Sequence, residues 1–158
     1  MLDRLKRSID NNTPSLQLTN FENKGYYVQS IFTANYFQAM QFCHYHGMRL
    51  LSITSKKEND FIEGKIRKMN LEGHHWTSGT ILPSPDPWIW MYTGNSMIYT
   101  HWDIGEPSLS VGNSSEECLE VRIIRGGLWW NDLNCLGLLN FICDTPLRSN
   151  GYRYNNSI

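Results

Sequence analysis

Four side chains that end in hard oxygen, Glu106, Glu116, Asn131 and Asp132, cluster in about one sixth of the chain, and Ser108 adds a hydroxyl. Calcium takes about six to eight oxygen ligands from carboxylates, amide or backbone carbonyls, hydroxyls and water. This set offers that chemistry with three formal negative charges, and it contains no Cys or His to favour zinc or copper. Pro107 follows Glu106 directly, and a cis bond there would turn the chain so that residues on either side face one point. The plain alternative is that these are solvated loop carboxylates with no specific task. Order and spacing argue against it. Glu106-Pro107-Ser108, Glu116-Glu117-Cys118, Trp129-Trp130-Asn131-Asp132 and Cys135 form one ordered series.

Other chemistries find less support. His44 and His46 lie two apart on an expected helix, so they do not face one another and read as surface residues. His74-His75 reads as a loop or edge pair. Glu116 and Glu117, if on a strand, point to opposite faces and cannot act as an acid–base pair. No G-x-S-x-G, H-E-x-x-H or phosphate-cradling glycine loop occurs, so no catalytic residues are assigned and a binding protein, not an enzyme, is expected.

The elements that must position these residues follow from patterning. A strand is expected over Lys24 to Ser30. A helix follows from about Thr33, as N-cap, to His46, with Phe37, Met40 and Cys43 on one face and Gly47 at its C-terminal cap. A second helix opens at Ser55, with Glu58 completing a capping box and Phe61, Ile62, Ile66 and Met69 as its apolar face. After Leu71, short strands are expected at His75 to Thr77, Trp88 to Met91, Cys118 to Ile123, Leu128 to Trp130 and Asn140 to Cys143. The stretch from Thr93 to Ser115 has little regular structure, and a loop that long in a compact domain is usually functional or disordered.

With 158 residues the chain is one domain's worth and can bury a core. A net charge of −1 gives no basic footprint for nucleic acid, and no apolar run is long enough to span a bilayer. Four cysteines, Cys43, Cys118, Cys135 and Cys143, form no C-x-x-C pair; two disulfides in an oxidising compartment fit, with three connectivities open. Asn11, Asn113 and Asn155 begin N-x-S/T sequons. The charged N-terminus lacks a leader, so the protein either stays in the cytosol or has had its signal removed; the cysteines and sequons favour removal and a secreted, extracellular location. We read 1–23 as a polar N-terminal segment, 24–145 as the domain and 146–158 as a flexible tail.

The ordered loop series closely resembles the long-loop region of C-type lectin domains. Tyr36-x-x-Ala39-x-x-x-Cys43-x-x-x-Gly47-x-x-Leu50-x-x-Ile53 looks like that family's first-helix signature, Ser55-x-x-Glu58-Asn59 its second-helix start, Trp76-Thr77-Ser78-Gly79 its core segment and Phe141-Ile142-Cys143-Asp144 its closing strand. The helical region is also similar to insect secreted single-domain members. The resemblance implies an α+β fold with two helices flanking small antiparallel sheets, a long calcium-binding loop, and disulfides Cys43–Cys143 and Cys118–Cys135. It implies one calcium ion held by Glu106, Ser108, Glu116, Asn131 and Asp132. Vicinal hydroxyls of a mannose-, fucose- or glucose-type sugar would meet Glu106, Ser108, Glu116 and Asn131 at the ion. Ser108 departs from the Asn or Asp of the family, and a glycan on Asn113 would crowd the site. Trp88, Trp90, Trp129 and Trp130 could stack on sugar rings; the strand pattern favours a core role for Trp130 and leaves Trp88 and Trp129 open. The expected partners are glycans on cell or microbial surfaces, as in innate immune recognition, with avidity through homo- or hetero-oligomers. The alternative is a domain of the same fold that binds protein and little or no sugar.

Overall fold

In a computed structural model, residues 16–147 are described. The sequons at Asn11 and Asn155 and the tail from Arg148 lie outside them. Twelve elements run in order: β1 (Thr19–Phe21), β2 (Lys24–Ala34), α1 (Tyr36–Tyr45), β3 (Arg49–Leu50), α2 (Lys56–Lys68), β4 (His74–Thr80), β5 (Ile89–Trp90), β6 (Ser110–Val111), β7 (Ser114–Ser115), β8 (Cys118–Ile124), β9 (Gly127–Leu133) and β10 (Leu139–Pro146).

The strands do not stay in separate small sheets. Eight join one sheet in the order β1-β2-β10-β4-β8-β9, with β3 on β10 and β5 on β4. All pairings are antiparallel except β10 with β4. Only the β6–β7 hairpin stands apart. Because β2 and β10 are neighbours, the first and last long strands close the domain against each other. The sheet begins at Thr19, five residues before the strand start expected at Lys24, because Phe21 stacks on Phe61 of α2 with centroids 4.4 Å apart.

Helix α1 starts later than Thr33. Asn35 is its N-cap: its side chain accepts from Gln38 N, and Gln38 returns a bond to the Asn35 backbone. The chain up to Ala34 is still β2, so the helix cannot open at Thr33. Its core face is Tyr36, Ala39 and Cys43, while Phe37 is 46% exposed and Met40 half-buried. Helix α2 opens at Ser55 as expected, with Ser55 accepting from Glu58 N. Glu58 does not complete a capping box. Its carboxylate takes Lys24, Tyr26 and Thr54 instead, and these partners outcompete the Ser55 backbone. Ile62 and Ile66 are buried, but Met69 is 38% exposed because α2 has ended there.

Two packed clusters flank the sheet. One centres on Trp130, whose Nε1 donates to Asn59 Oδ1 at 2.9 Å; the other on Trp76, whose Nε1 donates to Ala34 O at 3.0 Å. A large indole is buried without penalty only when its N–H finds an acceptor, and both do. The disulfides are Cys43–Cys143 and Cys118–Cys135. They close loops of 100 and 17 residues, which the chain-entropy account values at roughly 4–5 and about 3 kcal/mol.

Candidate functional site

The long loop is fixed at its root. Asp103 N donates to Trp130 O and Trp130 N to His101 O, tying the segment to β9. The buried Asp103 carboxylate accepts from Arg122 and Arg125 and from Ile104 N. These cations satisfy a carboxylate that burial would otherwise make costly. Asp103 was not among the residues singled out from sequence, and its signal there is only an acid shortly before Gly105.

Beyond the root, the Glu106–Pro107 bond is cis, the case the sequence left open. Ser108 Oγ donates to Glu116 Oε2 at 2.8 Å. Ser108 N and Leu109 N donate to the two Asp132 oxygens at 3.0 and 2.6 Å. Glu116 N in turn donates to Leu109 O. Glu106 joins the group through its neighbours: burial first, and Asp132 beside it, raise its carboxyl above the usual range. Its Oε2 is buried without a hydrogen-bond partner among the described residues. Asp132 is fully buried and Glu116 nearly so, while Ser108 faces solvent.

The structure thus gathers Glu106, Ser108, Glu116 and Asp132. Asn131 stands one residue from Asp132 on β9, and alternation turns it to the other face. It lies opposite Glu120 on β8, and its amide donates to Glu120 Oε1 at 2.8 Å. Glu120 is fully buried and also meets His74 Nδ1 at 2.5 Å through Oε2. That contact raises the His74 pKa despite partial burial. Glu120 is the partner that sequence reading missed. Its signal was a carboxylate inside an apolar strand, one of the rarest residues to be buried unpaired.

Among the described residues, no group of three or more His, Cys, Asp or Glu is placed so as to hold a metal ion. The donors nonetheless suit a hard cation. They are all oxygen, one buried carboxylate oxygen lacks a partner, and Glu106 and Asp132 crowd like charges together. Glu116 and Glu117 sit in the link between β7 and β8, with Glu116 buried toward Ser108 and Glu117 giving its carbonyl to Ile81 N. The histidine pair departs from expectation: both residues lie on β4, and His75 is fully buried. Trp130 and Trp90 are core, Trp88 packs on Trp102, and the half-buried Trp129 stacks on His101 at 4.4 Å. Asn113 is exposed at the turn between β6 and β7.

Comparison with known proteins identifies this architecture. Residues 32–145 match the family model for the lectin C-type domain, and the chain belongs to the C-type lectin domain family. It is 30% identical over 115 residues to perlucin of Haliotis laevigata, covering 73% of this chain and 72% of that one. It is 28% identical to C-type lectin 37Db of Drosophila melanogaster, covering 76% of each. Among solved structures, the mouse scavenger receptor C-type lectin carbohydrate-recognition domain is 28% identical, with a TM-score of 0.68 over 87% of this chain and 98% of that one. The family is a lectin domain, not an enzyme family, its members generally depend on calcium, and its carbohydrate-binding members include this neighbour.

Proposed function

We propose that the domain recognises glycans through one calcium ion held at Glu106, Ser108, Glu116 and Asp132. The observation that carries this reading is that Ser108, Glu116 and Asp132 are tied together beside Glu106, whose buried Oε2 has no hydrogen-bond partner among the described residues. A bound ion would offset the repulsion of three carboxylates and present open coordination positions to vicinal sugar hydroxyls. The chain's own contribution is to fix the donors. Asp132 is clamped by two backbone N–H groups, Glu116 is oriented by Ser108, and the Cys118–Cys135 bridge pins the strand between them. Asn131, on the other face of β9 with its amide on Glu120, would have to turn to offer its carbonyl oxygen to the ion.

Glu106 at the first position favours mannose-, fucose- or glucose-type ligands. The setting is extracellular: a secreted glycoprotein, with two disulfides suited to an oxidising compartment, that meets glycans on cell or microbial surfaces in innate immune recognition. Oligomers would supply avidity.

One observation favours the second reading, a protein-binding domain with weak or no sugar affinity. Sugar hydroxyls need donors as well as acceptors, yet Ser108 gives its proton to Glu116 and Asn131 gives one of its own to Glu120. Two experiments test these readings. Calorimetry should show one calcium bound per chain, lost in Glu116→Gln and Asp132→Asn. Retention on mannan resin should then vanish with EDTA. Calcium binding without any glycan on an array moves the assignment to the second reading, and no calcium binding at all removes the first.

A further inference from the structure

Leu109 follows Ser108 directly and has a φ of +66°, in the left-handed region that favours glycine or asparagine. Its backbone explains the conformation: the N–H donates to Asp132 Oδ2 at 2.6 Å and the carbonyl accepts from Glu116 N at 2.9 Å. Neither bond calls for a leucine side chain, and asparagine would hold both with less strain. Core packing does not call for it either, because the side chain is exposed. An exposed apolar group kept in strain beside a binding site is the kind of outlier that function explains.

Leu109 has apolar company. Val111, on β6, is exposed. Asn134 ties a second segment to the same hairpin: its amide donates to Ser114 Oγ and Ser115 O, and its Oδ1 accepts from Leu136 N. Leu136 and Leu138 are both exposed there. Single exposed apolar residues are ordinary, whereas several flanking one site mark a contact surface. Charge agrees with this. Residues 107–115 and 133–143 contain no Asp, Glu, Lys or Arg, so this rim offers no cation to a sialylated or sulfated glycan or to a phospholipid headgroup.

We propose that this rim receives the hydrocarbon of a glycolipid whose sugar is held at the calcium ion. This inference rests on the glycan reading above and adds the class of glycan. Two vicinal hydroxyls engage the ion, which leaves the anomeric oxygen free to carry a chain along Leu109, Val111 and Leu136. Calorimetry in saturating calcium compares methyl α-D-mannopyranoside with octyl α-D-mannopyranoside, the latter kept below its micelle concentration. The octyl glycoside should bind about tenfold more tightly, a gain of about 1.4 kcal/mol that ~55 Å² of buried apolar surface supplies. EDTA should abolish both. Val111→Ser, at an exposed position, should cut the octyl advantage about threefold and leave methyl mannoside binding unchanged. Leu109→Asn, which suits the left-handed backbone, should cut the advantage further. Equal affinity for the two glycosides, or an octyl advantage that both variants keep, overturns the rim while the glycan reading stands. Octyl binding that persists in EDTA overturns the link between rim and ion. Binding of neither glycoside by calcium-loaded protein removes the mannose-type reading, and this inference with it. Light scattering tests the other occupant: a calcium-loaded dimer that Leu109→Asn turns into a monomer gives the rim to a second copy and overturns the proposal.

Discussion

The burial of His75 makes a quantitative demand on this fold. The residue lies on β4 with no exposed surface, and neither ring nitrogen has a hydrogen-bond partner among the described residues. Burial disfavours the imidazolium and holds the pKa at about 4, against 6.5 for an ordinary histidine. Between those values the unfolded chain binds a proton that the folded one refuses. The stability that His75 contributes is therefore present above 6.5 and is lost as pH falls through about 4. At about 1.4 kcal/mol per pH unit, the whole effect is about 3 kcal/mol, of which about 2 kcal/mol is lost between about pH 7 and about pH 4.5. His75→Leu removes this titration and both unpaired nitrogens. Urea unfolding followed by tryptophan fluorescence, in EDTA, should show the wild type losing about 2 kcal/mol more than the variant across that interval. Parallel losses in the two proteins would refute a neutral, buried His75.

The neighbouring histidine should behave in the opposite sense. Glu120 raises the His74 pKa, so that ion pair stabilises the fold below the ordinary value of 6.5 and is lost as pH rises through the higher folded value; in Glu120→Gln, NMR titration should show the His74 pKa falling. Gly79→Ala should cost roughly 1–3 kcal/mol in a thermal or urea melt, since an added Cβ would stand 2.6 Å from Met97 Cε and 2.7 Å from Leu119 Cβ. Asn35→Ala should lose about 1 kcal/mol of stability by removing the side-chain acceptor for Gln38 N, while the backbone N–H at 35 keeps its bond to Gln38 Oε1, and Asn35→Asp should recover most of it. Saturating calcium, at about 100 times its dissociation constant, should stabilise the wild type by about 2.7 kcal/mol and leave Asp132→Asn unmoved.

Much of the fold was legible because its signals are local. Ser55 before an amphipathic run is enough to start α2, the strand at Cys118 announces itself by apolar alternation, and the one at Leu128 by a short apolar run. The α1 cap was misplaced for a nonlocal reason: β2 runs on to Ala34 because β10 pairs with it, and nothing near Thr33 records that partner. Phe37 and Met40 fit a core face by spacing, and only the packed structure shows the core taking the stripe one residue earlier. His75 resembled an edge residue because polar type usually follows exposure, whereas its position between β8 and β10 overrides its chemistry. In the site, the series of acids, Pro107 and cysteines was readable, but the direction of Asn131 was not. That direction depends on pairing with Glu120 across two strands.

In the β6–β7 hairpin, every residue from Ser110 to Ser115 is exposed, and the two strands pair only with each other. Below it, Leu109 N on Asp132, Glu116 N on Leu109 O and the Cys118–Cys135 bridge hold the donors whatever the tip contains. The tip is therefore a module that can lengthen, shorten or exchange sequence while the base keeps its register, since exposed loop tips tolerate insertion best. Segments grafted between Gly112 and Asn113 would extend the rim of the candidate site without passing through the core, giving selection or an engineer a place to alter recognition separately from folding.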